Sequence, residues 1–374
     1  MIPRRYFILK ILFKNDSTKD NPLHEVMSFF RVFLWEEIVM HMADALVSPA
    51  VGGAMLAVSS GAVIYSVKKI KEDENLEKKV PLMGIMSAFV FAAQMINFTI
   101  PMTGSSGHIG GGILLSLILG GPAAFISIFS VLLIQCLFFA DGGLLALGCN
   151  LFNMGVIPCL IIYPYVIKPI LQRGVSKKSL GIASMIGCVL SLQLGAFMVV
   201  LETFFSGISE LPFSQFLVLM QPIHLAIGLA EGVVTMLVAD FIFNQRKEIL
   251  DESIFSKKSN VSFKRVIVSL IIITFIVAGG LSLFASSNPD GLEWSVQGVT
   301  GSTEVENGAH DVYTAMNNIQ EKTAFMPDYN YKNEDNQSVI SGTSVAGIVG
   351  GVIVFVFAGV IGISAYKVSK LKRS

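Results

Sequence analysis

The sequence predicts an all-α polytopic membrane protein: a bundle of about seven segments, one of them short or broken, followed by a two-helix module with an external loop. Three observations carry this. Hydrophobic residues make up 53% of the chain and charged residues 14%, with mean hydropathy +0.66, where a soluble domain carries about 25% charged residues. The apolar residues fall into nine stretches, roughly 46–66, 82–100, 109–119, 122–139, 144–168, 180–203, 221–243, 265–286 and 342–366. The charges cluster between them, as expected when lipid is the solvent.

A full crossing needs about 20 residues. The third stretch is shorter and reads as a partial or broken helix continuing the glycine-rich run before it, tolerated where protein covers its backbone. The basic clusters test the count. Lys68, Lys69, Lys71, Lys78 and Lys79 follow the first stretch, and Lys168, Arg173, Lys177 and Lys178 follow the fifth. Arg246, Lys247, Lys257, Lys258, Lys264 and Arg265 follow the seventh, and Lys367, Lys370, Lys372 and Arg373 end the chain. If the short third stretch crosses, all four clusters share one side, the cytoplasm. The opposite side then holds residues 40–45, the 101–108 loop, Asp141 and Asp44, the 204–220 loop and the acidic, Asn-rich stretch 287–341. That stretch has little periodicity and reads as an external loop of weak order. Residues 246–264 read as a cytoplasmic linker between a domain at 40–245 and a module at 265–374.

Residues 1–39 do not fit. Arg4, Arg5, Lys10 and Lys14 belong inside, while the parity puts this end outside. The apolar runs are broken by charge, and no signal-peptide cleavage pattern follows them. Trp35-Glu36-Glu37 is encodable as TGG-GAG-GAR, which contains GGAGG, a bacterial ribosome-binding sequence, with Ile38-Val39 as spacer. The expected start of translation is therefore Met40. Net charge is zero, so the whole-molecule field does not point to nucleic acid. Cys136, Cys149, Cys159 and Cys188 form no CxxC pair and read as apolar packers.

With Met40 first, its amine, the His41 backbone nitrogen and the His41 imidazole chelate one metal in adjoining rings. A fourth donor completes a square-planar nitrogen site, the geometry of nickel(II) or copper(II). His108, in the Gly-Ser loop of 103–112, is the candidate; a lone histidine is more often structural, but two on one face shift the balance. His24, in the doubtful leader, and His310, in the external stretch, show no ligand spacing.

Four motifs in order resemble the CbiM/NikM family, the metal-capture membrane components of energy-coupling-factor transporters for cobalt and nickel. They are MHMADALVSPAVGG at the Met40 start, FAAQMINFTIP with SSGHIGGG, QCLFFADGGLLALGCNLFNMG, and PIHLAIGLAEG, spanning Met40 to about residue 243. The resemblance implies metal held by the Met40 amine, the His41 backbone and imidazole nitrogens and the His108 imidazole. It implies that Gln94, Asn97 and Ser106 support these ligands. It also implies a multi-pass place in the cytoplasmic membrane, with the site facing outside. Separate partners follow from it too: a CbiQ-like membrane coupling subunit and CbiO-like ATPases, consistent with the absence of a P-loop motif in this chain. Asn288-Pro289-Asp290-Gly291-Leu292-Glu293-Trp294 resembles the PDGLE domain, related to the small CbiN-type subunit, over about 265–366. The 39-residue extension departs from the family.

Gln135, Asn150 and Asn153 read either as further supports of the site or as interhelical hydrogen bonds. Asp141 and Asp44 are placed at the external surface, and neither is required as a ligand. His224 and Glu231, two turns apart on one face, read as a polar pair satisfied within the bundle. Gly110–Gly112 and Gly120–Gly121 read as sites of close packing and a helix break. Two other classes compete. An ion-driven secondary transporter needs mid-membrane charges and internal repeats, and only His224 and Glu231 are candidates. An intramembrane metallohydrolase needs HExxH or an equivalent open ligand set, which the sequence lacks. The transported ion is Ni2+ or Co2+, the nitrogen geometry favouring nickel; no resident cofactor and no enzymatic activity is expected. Mass spectrometry of the native protein is expected to find an N-terminal peptide beginning at Met40; a peptide from upstream overturns that start.

Overall fold

Backbone polar groups inside a bilayer have to be bonded within the protein, and the nine apolar stretches meet this with helices. The computed structural model describes residues 41–208, 211–256, 263–303, 311–331 and 342–373. These all lie in one unit, Ile38–Ser374. The leader, Met40, His24 and His310 lie outside the described residues.

Helix α1 (Pro49–Glu72) opens on Ser48, whose side chain accepts from the Val51 N–H, and on Pro49, preset for a first turn. Lys69 and Lys71 sit in its last turn, where cations meet the negative end of the helix dipole. Helix α2 (Leu76–Gln94) starts six residues before its apolar stretch. It can do so because Leu76 is buried and Lys79, 6% exposed, pairs with Asp73 at 2.7 Å. A two-stranded hairpin follows, β1 (Phe98–Ile100) with β2 (Ser105–Gly107). Then come α3 (Gly112–Leu119), α4 (Gly121–Phe139), α5 (Leu147–Gln172), α6 (Lys177–Ser206) and α7 (Phe213–Phe255). The middle of α5, Phe152–Ile167, winds more widely around Pro158 and Pro164, which supply no N–H to the regular ladder. The C-terminal part adds α8 (Lys264–Gly279), α9 (Gly291–Thr300), α10 (Asp311–Thr323) and α11 (Gly342–Arg373). Among the described residues seven helices are long and apolar enough to cross a membrane.

The third stretch runs through the bundle without a full helix. Eight residues of α3 give about 12 Å, and residues 108–111 before it add up to about 13 Å in non-helical form. Their exposed peptide groups are bonded by side chains from neighbouring helices. Glu231 of α7 accepts from the N–H groups of Gly110 and Gly111, both at 2.9 Å. Gln94 of α2 donates to the Gly110 carbonyl at 2.9 Å and accepts from Gln135 at 3.0 Å. Gly111 has φ +78°, and a Cβ there would lie 2.6 Å from Val90. Glu231 is thus satisfied by backbone N–H groups and not by His224, whose Nδ1 bonds the Met220 carbonyl instead.

The far end of α3 meets the basic end of the bundle. A cavity of about 220 Å³ there is lined by Gly120 and Gly121 together with Lys69, Lys79, Lys168 and Ser253. Ser369 of α11 donates to the Lys71 carbonyl at 2.6 Å, and Tyr366 donates to Glu77 at 2.9 Å. The crossing therefore brings the ends that carry Lys69, Lys79, Lys168 and the α11 terminus together, opposite His41 and His108.

Two expectations change. The stretch 287–341 is not a weakly ordered loop in its described parts, 287–303 and 311–331; it forms α9 and α10. Residues up to Phe255 of the expected linker continue α7 after a bend at Arg246 (φ −155°, ψ 83°), with Ile249, Leu250 and Ile254 buried. The acidic neighbours Asp251 and Glu252 mask those apolar residues in a composition count.

Glu231→Ala is expected to leave two interior N–H groups unbonded, at about 1–3 kcal/mol each, and to lower the thermal unfolding midpoint in detergent. Glu231→Gln, which keeps an acceptor oxygen, is expected to fall between Ala and wild type.

Candidate metal centre

The chain around His41 is threaded into the protein. Met42, Val47 and Asp44 are 1%, 0% and 4% exposed. Asn150 of α5 clamps Met42 from both sides of its residue: the Met42 N–H donates to Asn150 Oδ1, and Asn150 Nδ2 donates to the Met42 carbonyl, each at 3.1 Å. Gly143 N–H also donates to that carbonyl at 3.0 Å. Asp44 accepts from the Ala146 N–H at 2.8 Å and so fastens the loop between α4 and α5. Burial raises the Asp44 carboxyl despite bonds from Ala146, Leu145 and Leu144.

His41 is 3% exposed, and its ring centroid lies 5.3 Å from that of His108, with the planes tilted by 54°. A metal–nitrogen bond of about 2.1 Å plus a ring radius of about 1.1 Å allows two imidazole centroids on one ion to lie up to about 6.4 Å apart. The pair is therefore close enough to share an ion. His41 Nδ1 lies 2.9 Å from Asp141 Oδ1, and no described residue hydrogen-bonds Nε2. His108 Nδ1 lies 3.2 Å from the Ile109 carbonyl. Gly142, at φ +79°, packs on His41, since a Cβ there would lie 2.8 Å from the His41 Cβ. A cavity of about 90 Å³ runs between these groups, lined also by Asn150, His224, Asp290 and Gly291. Among the described residues no three His, Cys, Asp or Glu side chains group to hold an ion, so a closed site there draws on backbone, amine or water donors.

Asp141 and Asp44 are buried rather than at the external surface: the C-terminal module covers Asp141, and the loop between α4 and α5 closes on Asp44. Tyr329 donates to Asp141 Oδ2 at 2.6 Å and stacks on Phe139, with centroids 5.0 Å apart. Gln320 donates to the Gly142 carbonyl at 2.8 Å, and Tyr313 donates to the Val47 carbonyl at 2.9 Å. Burial opposes ionisation of Asp141, yet the His41 ring, the Tyr329 hydroxyl and His108 outweigh it, holding this carboxyl below the usual range. Sequence reasoning missed Tyr329, Gln320 and Tyr313. On α10 the apolar Val312 and Ile319 are exposed while Gln320 is buried, so apolar periodicity points to the wrong face.

The expected supporting residues divide. Gln94 bonds the run that carries His108. Ser106 instead bonds the C-terminal module, its N–H to the Pro289 carbonyl at 2.8 Å and its hydroxyl to the Asn288 carbonyl at 2.7 Å. Asn97 receives the Ser286 N–H on its backbone carbonyl at 2.7 Å. Trp294 donates to the Thr103 carbonyl at 3.0 Å. Gln135 makes an interhelical bond to Gln94, and Asn153 donates across to Glu202 at 2.8 Å. Asn150 supports the site through Met42.

Residues 41–249 match the family described as the cobalt uptake substrate-specific transmembrane region, CbiM, and residues 264–367 match the PDGLE domain. A protein of Archaeoglobus fulgidus, provisionally named as a fused nickel transport protein NikMN, is 31% identical over 317 residues, covering 84% of this chain and 95% of its own. The cobalt transport protein CbiM of Clostridium tetani is 24% identical over 210 residues, 54% of this chain and 84% of its own. A solved structure described as a transition metal transporter is 29% identical, covers 59% of this chain and all of its own, and superposes with a TM-score of 0.48.

Tyr329→Phe is expected to cost about 1–3 kcal/mol at neutral pH by removing a donor from a buried carboxylate. Asp141 has a lowered folded pKa, so its bonds contribute fully above the unfolded value of about 3.9 and are lost as pH falls through the folded one. The difference between variant and wild type, read by unfolding at a series of pH values, is therefore expected to narrow in acid; a constant difference contradicts the Asp141 bond as its cause.

Proposed function

The chain belongs to the CbiM family of cobalt and nickel transport proteins and carries a PDGLE domain behind that region, and from this premise we propose that it is the metal-capturing component of an ATP-driven uptake system. The observation that carries the reading is the His41–His108 pair, ring centroids 5.3 Å apart, with His41 buried and His108 half-buried, at the end of the bundle opposite the basic clusters. The positive-inside rule assigns the basic end and the C-terminus to the cytoplasm, so the histidines face outside.

With Met40 as the first residue, its amine, the His41 backbone nitrogen, the His41 Nδ1 and the His108 ring supply four nitrogens to Ni2+ or Co2+. The ion is the cargo. Taking Nδ1 replaces the proton between His41 and Asp141, and leaves a carboxylate beside the bound cation as counter-charge. The clamp of Asn150 on Met42 and the bonding of the 108–111 run by Glu231 and Gln94 hold the two chain segments in place, which lowers the ordering cost of chelation. Gln94 supports His108 through Gly110; Asn97 and Ser106 act at longer range by seating the module.

ATP hydrolysis falls to separate CbiO-like subunits, coupled through a CbiQ-like membrane subunit. Helix α1 supports such a membrane contact. Gly53, Ala57 and Gly61 are exposed at four-residue spacing, with nothing within 4 Å of a Cβ at either glycine, a surface that lets a second helix approach closely.

Protein expressed from Met40 is expected to bind Ni2+ or Co2+ tightly, and protein expressed from Met1 to bind weakly. His41→Ala and His108→Ala are each expected to abolish tight binding while the protein stays in the membrane. Binding is expected to release protons and weaken as pH falls, because amine, amide and imidazole must all be deprotonated. Calorimetry in two buffers of different ionisation enthalpy measures both. Equal tight binding from Met1 and Met40, or by both histidine variants, overturns this site.

A further inference from the structure

His224 opens on the same cavity as His41 and His108 without belonging to the proposed site. Its Nδ1 lies 2.8 Å from the Met220 carbonyl one turn earlier. A carbonyl only accepts, so Nδ1 carries the proton and Nε2 keeps its lone pair. That nitrogen has no hydrogen-bond partner among the described residues. An imidazole fixed in this way, one nitrogen donating to a backbone carbonyl and the other presenting its lone pair, has the arrangement common to metal-bound histidines.

The PDGLE segment sits against this ring. A Cβ on Gly291 would lie 3.2 Å from His224 Cε1, so the backbone packs closely on the ring. The preceding residue, Asp290, lines the cavity and is 3% exposed. One of its carboxylate oxygens caps α9, accepting from the Leu292 and Glu293 N–H groups at 2.9 and 2.8 Å. The other has no hydrogen-bond partner among the described residues. A cap needs only one oxygen, and asparagine serves as well; the second oxygen and the negative charge are surplus to it. The cavity, at about 90 Å³, leaves room for an ion that keeps part of its water shell, a water's share of volume being about 30 Å³.

We propose that His224 Nε2 and the Asp290 carboxylate form a second, weaker metal station in this cavity, which the ion occupies on its way to the His41–His108 site. It rests on the capture reading above. The two protein donors are too few for a closed site, and water completes the shell, so the station exchanges its ion readily. It also gives the fused module a chemical part in capture, since one donor comes from each domain.

The test uses the form of the chain that binds metal tightly, titrated with Ni2+ by calorimetry and loaded with Ni2+ in a stopped-flow instrument. Wild type is expected to show one tight and one weaker binding event. His224→Phe, which keeps the ring volume, is expected to lose the weaker event with tight-site affinity unchanged. Asp290→Asn, which keeps the cap, is expected to slow loading by about tenfold through loss of the attracting charge. His41→Ala is expected to lose the tight event and keep the weaker one. If His224→Phe and Asp290→Asn both titrate and load as wild type does, the station is overturned and the capture site stands. If His41→Ala keeps the tight event, the capture reading fails, whatever happens to the weaker one.

Discussion

Between Gly107 and the first turn of α3 the chain runs through the bundle with no helix to bond its peptide groups, and the protein is arranged around that exposed backbone. Glu231 reaches from α7 to two consecutive N–H groups, and Gln94 reaches from α2 to the carbonyl between them. A carboxylate is the suitable acceptor, because its two oxygens match two adjacent donors and the bonds are charge-assisted. Without this bonding the run would carry an interior cost of several kcal/mol. With it, His108 stands at the head of a bonded run, and α2, α4 and α7 are tied to one another through it.

The second histidine is held by different means. His41 precedes α1, outside any long helix, where loop segments are usually more mobile than the elements they connect. Here the segment is closed over by protein: Asn150 pairs with Met42, Asp44 with Ala146, and Tyr313 with Val47. The two imidazoles approach because two separate networks, one on α2 and α7 and one on α5 and the α4–α5 loop, converge at one end of the bundle. Two side chains held this way have little conformational freedom left to lose.

The C-terminal module is part of this end of the molecule. Its Ser286–Pro289 backbone bonds the hairpin at Asn97 and Ser106, while Gln320 and Tyr329 bond the α4–α5 loop. Asp141 is thereby shared: one oxygen faces His41, the other holds Tyr329. In this chain the fusion places groups of the second region within the walls of the cavity that the first region's histidines line.

The number and order of apolar stretches, the clustering of positive charge, and the His41 and His108 motifs were legible in the sequence, because hydropathy and charge are properties of short runs of residues. Each of the nine stretches contains a helix, and the short third one is the partial helix expected after its glycine-rich run. The sequence alone could not show which polar groups meet. Gly110 finds Glu231 across 121 positions, and Tyr329 finds Asp141 across 188. Nor could it show that α10 buries Tyr313 and Gln320 while its apolar Val312 and Ile319 stay exposed, or place Asp141 inside, since its cover comes from a distant part of the chain. Tertiary structure decided these because a buried hydrogen bond is set by where two elements pack, and no local pattern records that.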